Sequence, residues 1–207
     1  MKIIFFDIDG TLICGGSELM SESTKEAIRI ARANGHICMI NTGRTKRLVG
    51  ENLTGQVEFD GLLLGCGTEI EFHGKQLMHK TFSMEESKAI LTAMKKYHVD
   101  AVLEGSREDY APRGEEVFTE TFRHMAREIE NRKYDRYANA PGNYDKLYAY
   151  AETPAGMDGM KRDLSEILDF IDREQGFYEI VPKGYSKATA IPVSYTHLRA
   201  HETSAHL

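Results

Sequence analysis

Short apolar runs and helical stripes alternate along the first third of the chain. Ile3-Ile4-Phe5-Phe6 is apolar at every position, which predicts a strand covered on both faces, as in a parallel sheet. Ser23 and Glu26 have capping-box spacing, and Ala27, Ile30 and Ala31 have helical spacing, so a helix is expected from Ser23 to a stop at Gly35. His36 to Asn41 reads as a second apolar strand, Thr45 to Leu53 as a short helix and Gly61 to Leu64 as a third strand. Strand, helix and strand at this spacing make a βαβ unit.

The texture changes at Phe82. Ser83 and Glu86 form another capping box, and Ile90, Leu91, Met94 and Tyr97 make one stripe. A second stripe is Phe118, Phe122, Met125 and Ile129; a third is Met160, Leu164, Ile167, Leu168 and Ile171. Val99 to Leu103, Leu147 to Ala151 and Phe177 to Val181 read as strands. The expected organisation is a core over 1–82, an inserted α+β domain over 83–181 and a return to the core over 182–192, in place of one continuous sheet.

Composition adds exclusions. The chain has 207 residues, 26 Lys+Arg against 32 Asp+Glu, a net charge of −6 and 41% hydrophobic residues. No segment has the ~20 apolar residues of a membrane span. No basic face suggests a nucleic-acid partner. Cys14, Cys38 and Cys66 have neither metal spacing nor a disulfide framework, which fits a cytoplasmic protein. Oligomeric state is not legible.

The first strand runs into Asp7-Ile8-Asp9-Gly10-Thr11. Carboxylates at i and i+2 leaving a strand point to the same side, toward the ligand crevice of an α/β sheet. One acid can attack or hold a metal while the other exchanges a proton with a leaving group. Gly10 allows a sharp turn that presents N–H groups to an anion. A Ca²⁺ loop is the competing reading, but an EF-hand loop lies between helices and needs a Glu at its twelfth position. Asn41-Thr42-Gly43-Arg44 ends the second strand with a hydroxyl, a glycine and a cation suited to a phosphoryl oxygen, though Arg44 equally suits a surface salt bridge. Pro182 to Lys187 offers Lys183 and Lys187, either of which could be a plain surface lysine. Asp109, Glu115 and Glu116 read as solvated charges, and Tyr148 and Tyr150 as strand packing.

In this order the three segments resemble the haloacid dehalogenase-like (HAD) superfamily, most closely its Cof-type subfamily IIB phosphatases. The resemblance covers residues 1 to about 192. It implies a Rossmann-like α/β core with an inserted α+β cap of the C2B type. It implies Asp7 as nucleophile, Asp9 as general acid and base, and Thr42 and Lys187 on the phosphoryl group. Gly10, Thr11, Gly43 and Arg44 would line the phosphate or substrate site. Mg²⁺ would sit on the Asp7 carboxylate and the Asp9 backbone carbonyl. The implied activity is hydrolysis of a small phosphorylated metabolite, such as a sugar phosphate or phosphorylated cofactor, through an aspartyl-phosphate. Alternatives are a phosphomannomutase-like phosphomutase and an inactive phosphometabolite-binding remnant. The chain departs from the family pattern at Cys66-Gly67-Thr68, where Asn-Gly-Ala is common, and at Ala188, where Gly is usual.

A fourth segment of the family, the acidic Gly-Asp-x-x-Asn-Asp motif that supplies another metal ligand, is absent. Val193 to Thr203 instead resembles one reading frame of a transposase adapter used in sequencing-library preparation. The expectation is that 193–207 is a non-native tail, that Pro192 stands near the last native position, and that the core is incomplete and its activity impaired. The competing reading, a metal site on His197, His201 and His206, lacks further ligands.

Overall fold

A computed structural model describes residues 1–15, 17–131, 134–137, 140 and 142–204, with only the backbone described at 126–131 and 197–204. Gly16 and the side chains of Ile129, His197, His201 and His206 therefore lie outside the described residues. The chain divides into two compact units, 1–79 with 185–207, and 80–184.

The first unit contains β1 (Ile3–Phe6), α1 (Glu22–Ala33), β2 (Ile37–Asn41), α2 (Lys46–Thr54), β3 (Gly61–Leu64), β4 (Glu69–Phe72) and β5 (Lys75–His79); α6 (Lys187–Ser204) joins it from the far end of the chain. Its sheet has the order β1-β2-β3-β4-β5. β1, β2 and β3 are parallel, with Ile3 opposite Ile37 and Met39 opposite Gly61. A β3-β4-β5 meander then adds an antiparallel edge.

Successive residues of β2 serve opposite faces. Cys38 and Ile40 pack with Ile28 of α1 and with Val49 and Leu53 of α2. Met39 packs with Leu63, Ile70 and Ala190 of α6. Helices on both faces explain why these strands are apolar apart from Asn41 at the end of β2.

α1 starts earlier than its spacing predicts. Ser21, in extended conformation, is the N-cap, and its hydroxyl accepts from the Thr24 N–H at 3.1 Å. Ser23 is already helical, which corrects the box at Ser23 and Glu26. β4 and β5 have no counterpart in the predicted elements.

The second unit holds α3 (Met84–Tyr97), β6 (Val99–Glu104), β7 (Asp109–Ala111), α4 (Glu120–Asn131), β8 (Asp135–Arg136), β9 (Lys146–Ala151), α5 (Pro154–Leu164), β10 (Leu168–Asp172) and β11 (Phe177–Pro182). Its sheet runs β10-β11-β9-β6-β7-β8 and is antiparallel except between β7 and β8. α3 and α5 cover one face through Ile90, Met94, Met157 and Met160, which meet Val99, Leu103, Leu147 and Ile180. On the other face Phe122 of α4 packs with Val102, Ala111 and Tyr134. The Ser83–Glu86 box forms as predicted, with the Ser83 hydroxyl accepting from Glu86 N–H at 3.2 Å and Glu86 Oε2 from Ser83 N–H at 2.7 Å.

Three expectations fail here. The third stripe is not one helix: α5 ends at Leu164, and Leu168 to Asp172 pairs with β11 as a strand. Phe118 lies before α4 rather than on it. Asp109 is buried rather than solvated, and its Oδ1 accepts from the Gly105 N–H at 3.1 Å. Tyr148 and Tyr150 do pack as strand residues, against Phe177 at ring distances of 5.2 and 4.8 Å.

Candidate active site

Asp7 follows β1 directly, and the fully buried Ile8 anchors the turn behind it. Asp7 Oδ1 accepts from the Ile8 N–H at 2.8 Å, and Oδ2 accepts from Lys187 Nζ at 2.7 Å. Lys187 is the first residue of α6. Its place is set by a reciprocal cap: the Ser186 hydroxyl accepts from the Thr189 N–H at 3.1 Å, and the Thr189 hydroxyl from the Ser186 N–H at 2.8 Å. The other predicted lysine, Lys183, pairs with Asp169 at 2.8 Å in the second unit.

Asp9 faces Arg44 across a two-point fork, Nε to Oδ2 at 3.0 Å and Nη2 to Oδ1 at 2.6 Å. Asp9 thereby holds the Arg44 guanidinium even more firmly protonated than usual. Of the two roles open to Arg44, the structure shows the ion pair.

Thr42 is buried at the end of β2, its N–H donating to Leu63 O at 2.9 Å. Its hydroxyl oxygen accepts from the Arg44 N–H at 3.2 Å, which orients the side chain. Gly10 adopts φ +77°, as the sharp turn requires. Its N–H, however, donates to Ile13 O at 2.9 Å, and the Thr11 N–H donates to Ile8 O at 3.3 Å. These two amides close the turn on backbone carbonyls. Beside them lies a cavity of about 330 Å³ lined by Asp9, Gly10, Cys14, Ser17, Glu18 and Arg44.

The donor set suits a hard cation only thinly. Among the described residues, no three-ligand cluster of His, Cys, Asp or Glu includes Asp7 or Asp9. One carboxylate and one backbone carbonyl, completed by waters and phosphate, is a ligand set that Mg²⁺ tolerates and Zn²⁺ does not favour.

Two residues of this neighbourhood had no predicted role. The Asn41 side chain donates to the Lys187 carbonyl at 3.1 Å, tying the end of β2 to the start of α6. Gly67 lies against the same turn of α6. The only signal for either was adjacency to a motif.

The profile of a family described as haloacid dehalogenase-like hydrolase matches residues 4–203. The chain belongs to this family. This HAD-like hydrolase is also similar to several solved structures. A hypothetical protein from Geobacillus kaustophilus matches over 95% of this chain and 75% of its own, with TM-score 0.73 and 23% identity. A phosphatase of the haloalkanoate (HAD) superfamily from Bacteroides thetaiotaomicron matches over 96% and 73%, with TM-score 0.80 and 20% identity. A HAD subclass IIB sugar phosphatase matches over 96% and 76%, with TM-score 0.71 and 20% identity. At these identities the likeness is one of fold. No curated protein matches the HAD-like chain. No helix among its described residues is long and apolar enough to cross a membrane.

Proposed function

We propose that the chain is a cytoplasmic Cof-type phosphatase for small phosphorylated metabolites, sugar phosphates or phosphorylated cofactors, with the inserted unit acting as a C2B-type cap that selects the substrate. The observation that carries this reading is the Lys187–Asp7 contact at 2.7 Å, made between residues 180 positions apart. It puts a cation on the acid that leaves β1, where phosphoryl charge would have to be neutralised.

An Asp7 carboxylate oxygen attacks phosphorus as the bond from phosphorus to the ester oxygen breaks. Asp9 gives its proton to the departing alkoxide. Asp9 then takes a proton from water, whose oxygen attacks the aspartyl-phosphate and releases inorganic phosphate and free Asp7. Lys187 and the Thr42 hydroxyl hold phosphoryl oxygens through both steps, while Gly10, Thr11, Gly43 and Arg44 border the substrate. Mg²⁺, held by the Asp7 carboxylate and the Asp9 carbonyl, would supply charge neutralisation at the phosphoryl group. Since a bidentate fork occupies both Asp9 oxygens, Arg44 must let go of at least one before Asp9 can donate.

The thin ligand set around Asp7 favours a second reading, binding of a phosphometabolite without turnover. Phosphate release from p-nitrophenyl phosphate and a panel of sugar phosphates, with and without Mg²⁺, separates the two. Weak turnover with Mg²⁺ that Asp7→Asn abolishes is the expected result, in keeping with an incomplete core; robust turnover would overturn the expectation that activity is impaired. An isomeric sugar phosphate without phosphate release would make the protein a mutase. Protection against unfolding by phosphate esters, without turnover, would establish the binding reading.

A further inference from the structure

β3 leaves the sheet through three consecutive left-handed residues, Gly65 at φ +57°, Cys66 at φ +57° and Gly67 at φ +90°. L-residues avoid this region because Cβ crowds the following carbonyl oxygen. A non-glycine residue there, in the middle of such a run, means the surrounding contacts impose the conformation.

Those contacts reach both halves of the site. On one side, the Gly65 N–H donates to Arg44 O at 2.8 Å and the Cys66 N–H to Thr42 O at 3.1 Å. The triplet therefore grips the backbone that carries Thr42 and Arg44. The Thr68 hydroxyl closes the turn on Gly65 O at 3.0 Å. On the other side, a Cβ added to Gly67 would stand 2.6 Å from Ser186 O and 2.9 Å from Ala190 Cβ. Ser186 caps α6 and precedes Lys187, and Ala190 is buried one turn later. No side chain fits at position 67 unless the first turn of α6 moves away.

The geometry points to Gly67 as a positioning residue: by letting the start of α6 close onto the β3 turn, it sets the reach of Lys187 to Asp7, while its neighbours fix Thr42 and Arg44 in the same frame. Asn41 braces the arrangement from the end of β2 through the Lys187 carbonyl. This is a different role from contact with substrate, and it does not require Cys66 to replace the function of the asparagine common in the family.

Gly74 supplies the control. It too is left-handed, at φ +72°, but a Cβ there meets nothing within 4 Å. Gly67→Ala and Gly74→Ala thus share backbone strain and differ in the push on α6. The direct readout is the rate at which Lys187 is modified by an amine-selective acylating reagent, read by mass spectrometry on the folded protein, with Asp7→Asn as the reference for a released lysine. Gly67→Ala should raise the Lys187 rate severalfold, toward that reference, and Gly74→Ala should leave it unchanged. Equal rates in Gly67→Ala and wild type would overturn the inference. If Gly67→Ala does not fold, Ala190→Val enlarges the same contact from the helix side and must give the same release.

The kinetic arm rests on the proposed phosphatase reading. In it, Gly67→Ala should lower kcat by ~100-fold with KM little changed, as expected for a displaced catalytic group. Absence of turnover in wild type would count against that reading alone, because the labelling result stands without it.

Discussion

Asp7 with Lys187 in the first unit, and Glu179 with Lys146 in the second, are both carboxylate–ammonium pairs. The side chains of the first are 40% and 34% exposed, those of the second 9% and 4%. Lys146 also stands 3.0 Å from Glu104, and Arg173 Nε donates to Glu179 Oε2 at 2.7 Å. The exposed pair contributes at most about 1 kcal/mol to folding, because water competes for both partners. That weakness suits the role proposed for Asp7, which would have to exchange its partner for a phosphoryl group. The buried pair has no such freedom. Its charges have left water, and each depends on the others to offset the cost. One residue chemistry thus forms the proposed site in one unit and a scaffold in the other.

Swapping the loss between the two lysines gives the sharpest separation. Lys187→Ala should lower kcat by ~100–1,000-fold with a melting temperature close to wild type. Lys146→Ala should cost about 3–5 kcal/mol, because Glu104 and Glu179 stay buried with less compensation. Thermal melts and kcat on the same preparations check both. A Lys146→Ala protein as stable as wild type would break the comparison.

Acid titration separates the two glutamates within the buried network. Burial pushes the Glu179 carboxyl up, but Lys146 and Arg173 more than offset it, so it ends below the usual carboxylate value of 4.5. Its contribution to stability is complete above pH 4.5 and is lost as pH falls through its lower folded pKa. For Glu104 burial wins over Lys146, and its carboxyl is raised above 4.5. The folded state therefore takes up that proton first, and stability rises as pH falls through the folded pKa toward 4.5. Urea midpoints from pH 7 to pH 3 should show a rise followed by a fall. Glu104→Gln should flatten the rise and keep the fall.

Helix caps give the smallest contrast. Ser83→Ala removes the hydroxyl of a two-way box and Ser21→Ala that of a one-way cap, each at a cost of about 1 kcal/mol. Ser23→Ala should change stability by less than about 0.5 kcal/mol. A larger loss at Ser23 than at Ser21 in chemical denaturation would restore the later helix start.

What could be read from the sequence follows from how each segment is buried. β1, β2 and β3 are legible because helices cover both faces, so every position but Asn41 at the end of β2 is apolar. β4 was not, because Glu69 and Glu71 are charged yet buried, and Glu71 is paired with Lys46. β10 is ambiguous in the sequence because Leu164, Ile167, Leu168 and Ile171 satisfy helical spacing, while Leu168 and Phe170 satisfy a strand equally well. The Ser-Glu-Ser-Thr run offered several caps, and only the backbone selects Ser21. In the site, Asp7 and Lys187 were legible through motif order alone, since nothing local to either residue announces the other. The Asp9–Arg44 fork and the gap at Gly67 depend on loop geometry, which spacing does not encode.

β1 carries Asp7 and occupies the end of its sheet, paired with β2 and with no strand on its other side among the described residues. Half of its backbone donors and acceptors therefore lack a ladder, and its sequence is Ile-Ile-Phe-Phe. Such an edge is a template for intermolecular pairing. The colloidal behaviour of the protein would then be tied to the proposed chemistry: crowding two chains edge to edge would disturb the strand that carries Asp7. Specific activity should therefore fall as protein concentration rises, and recover on dilution before any loss of secondary structure is seen.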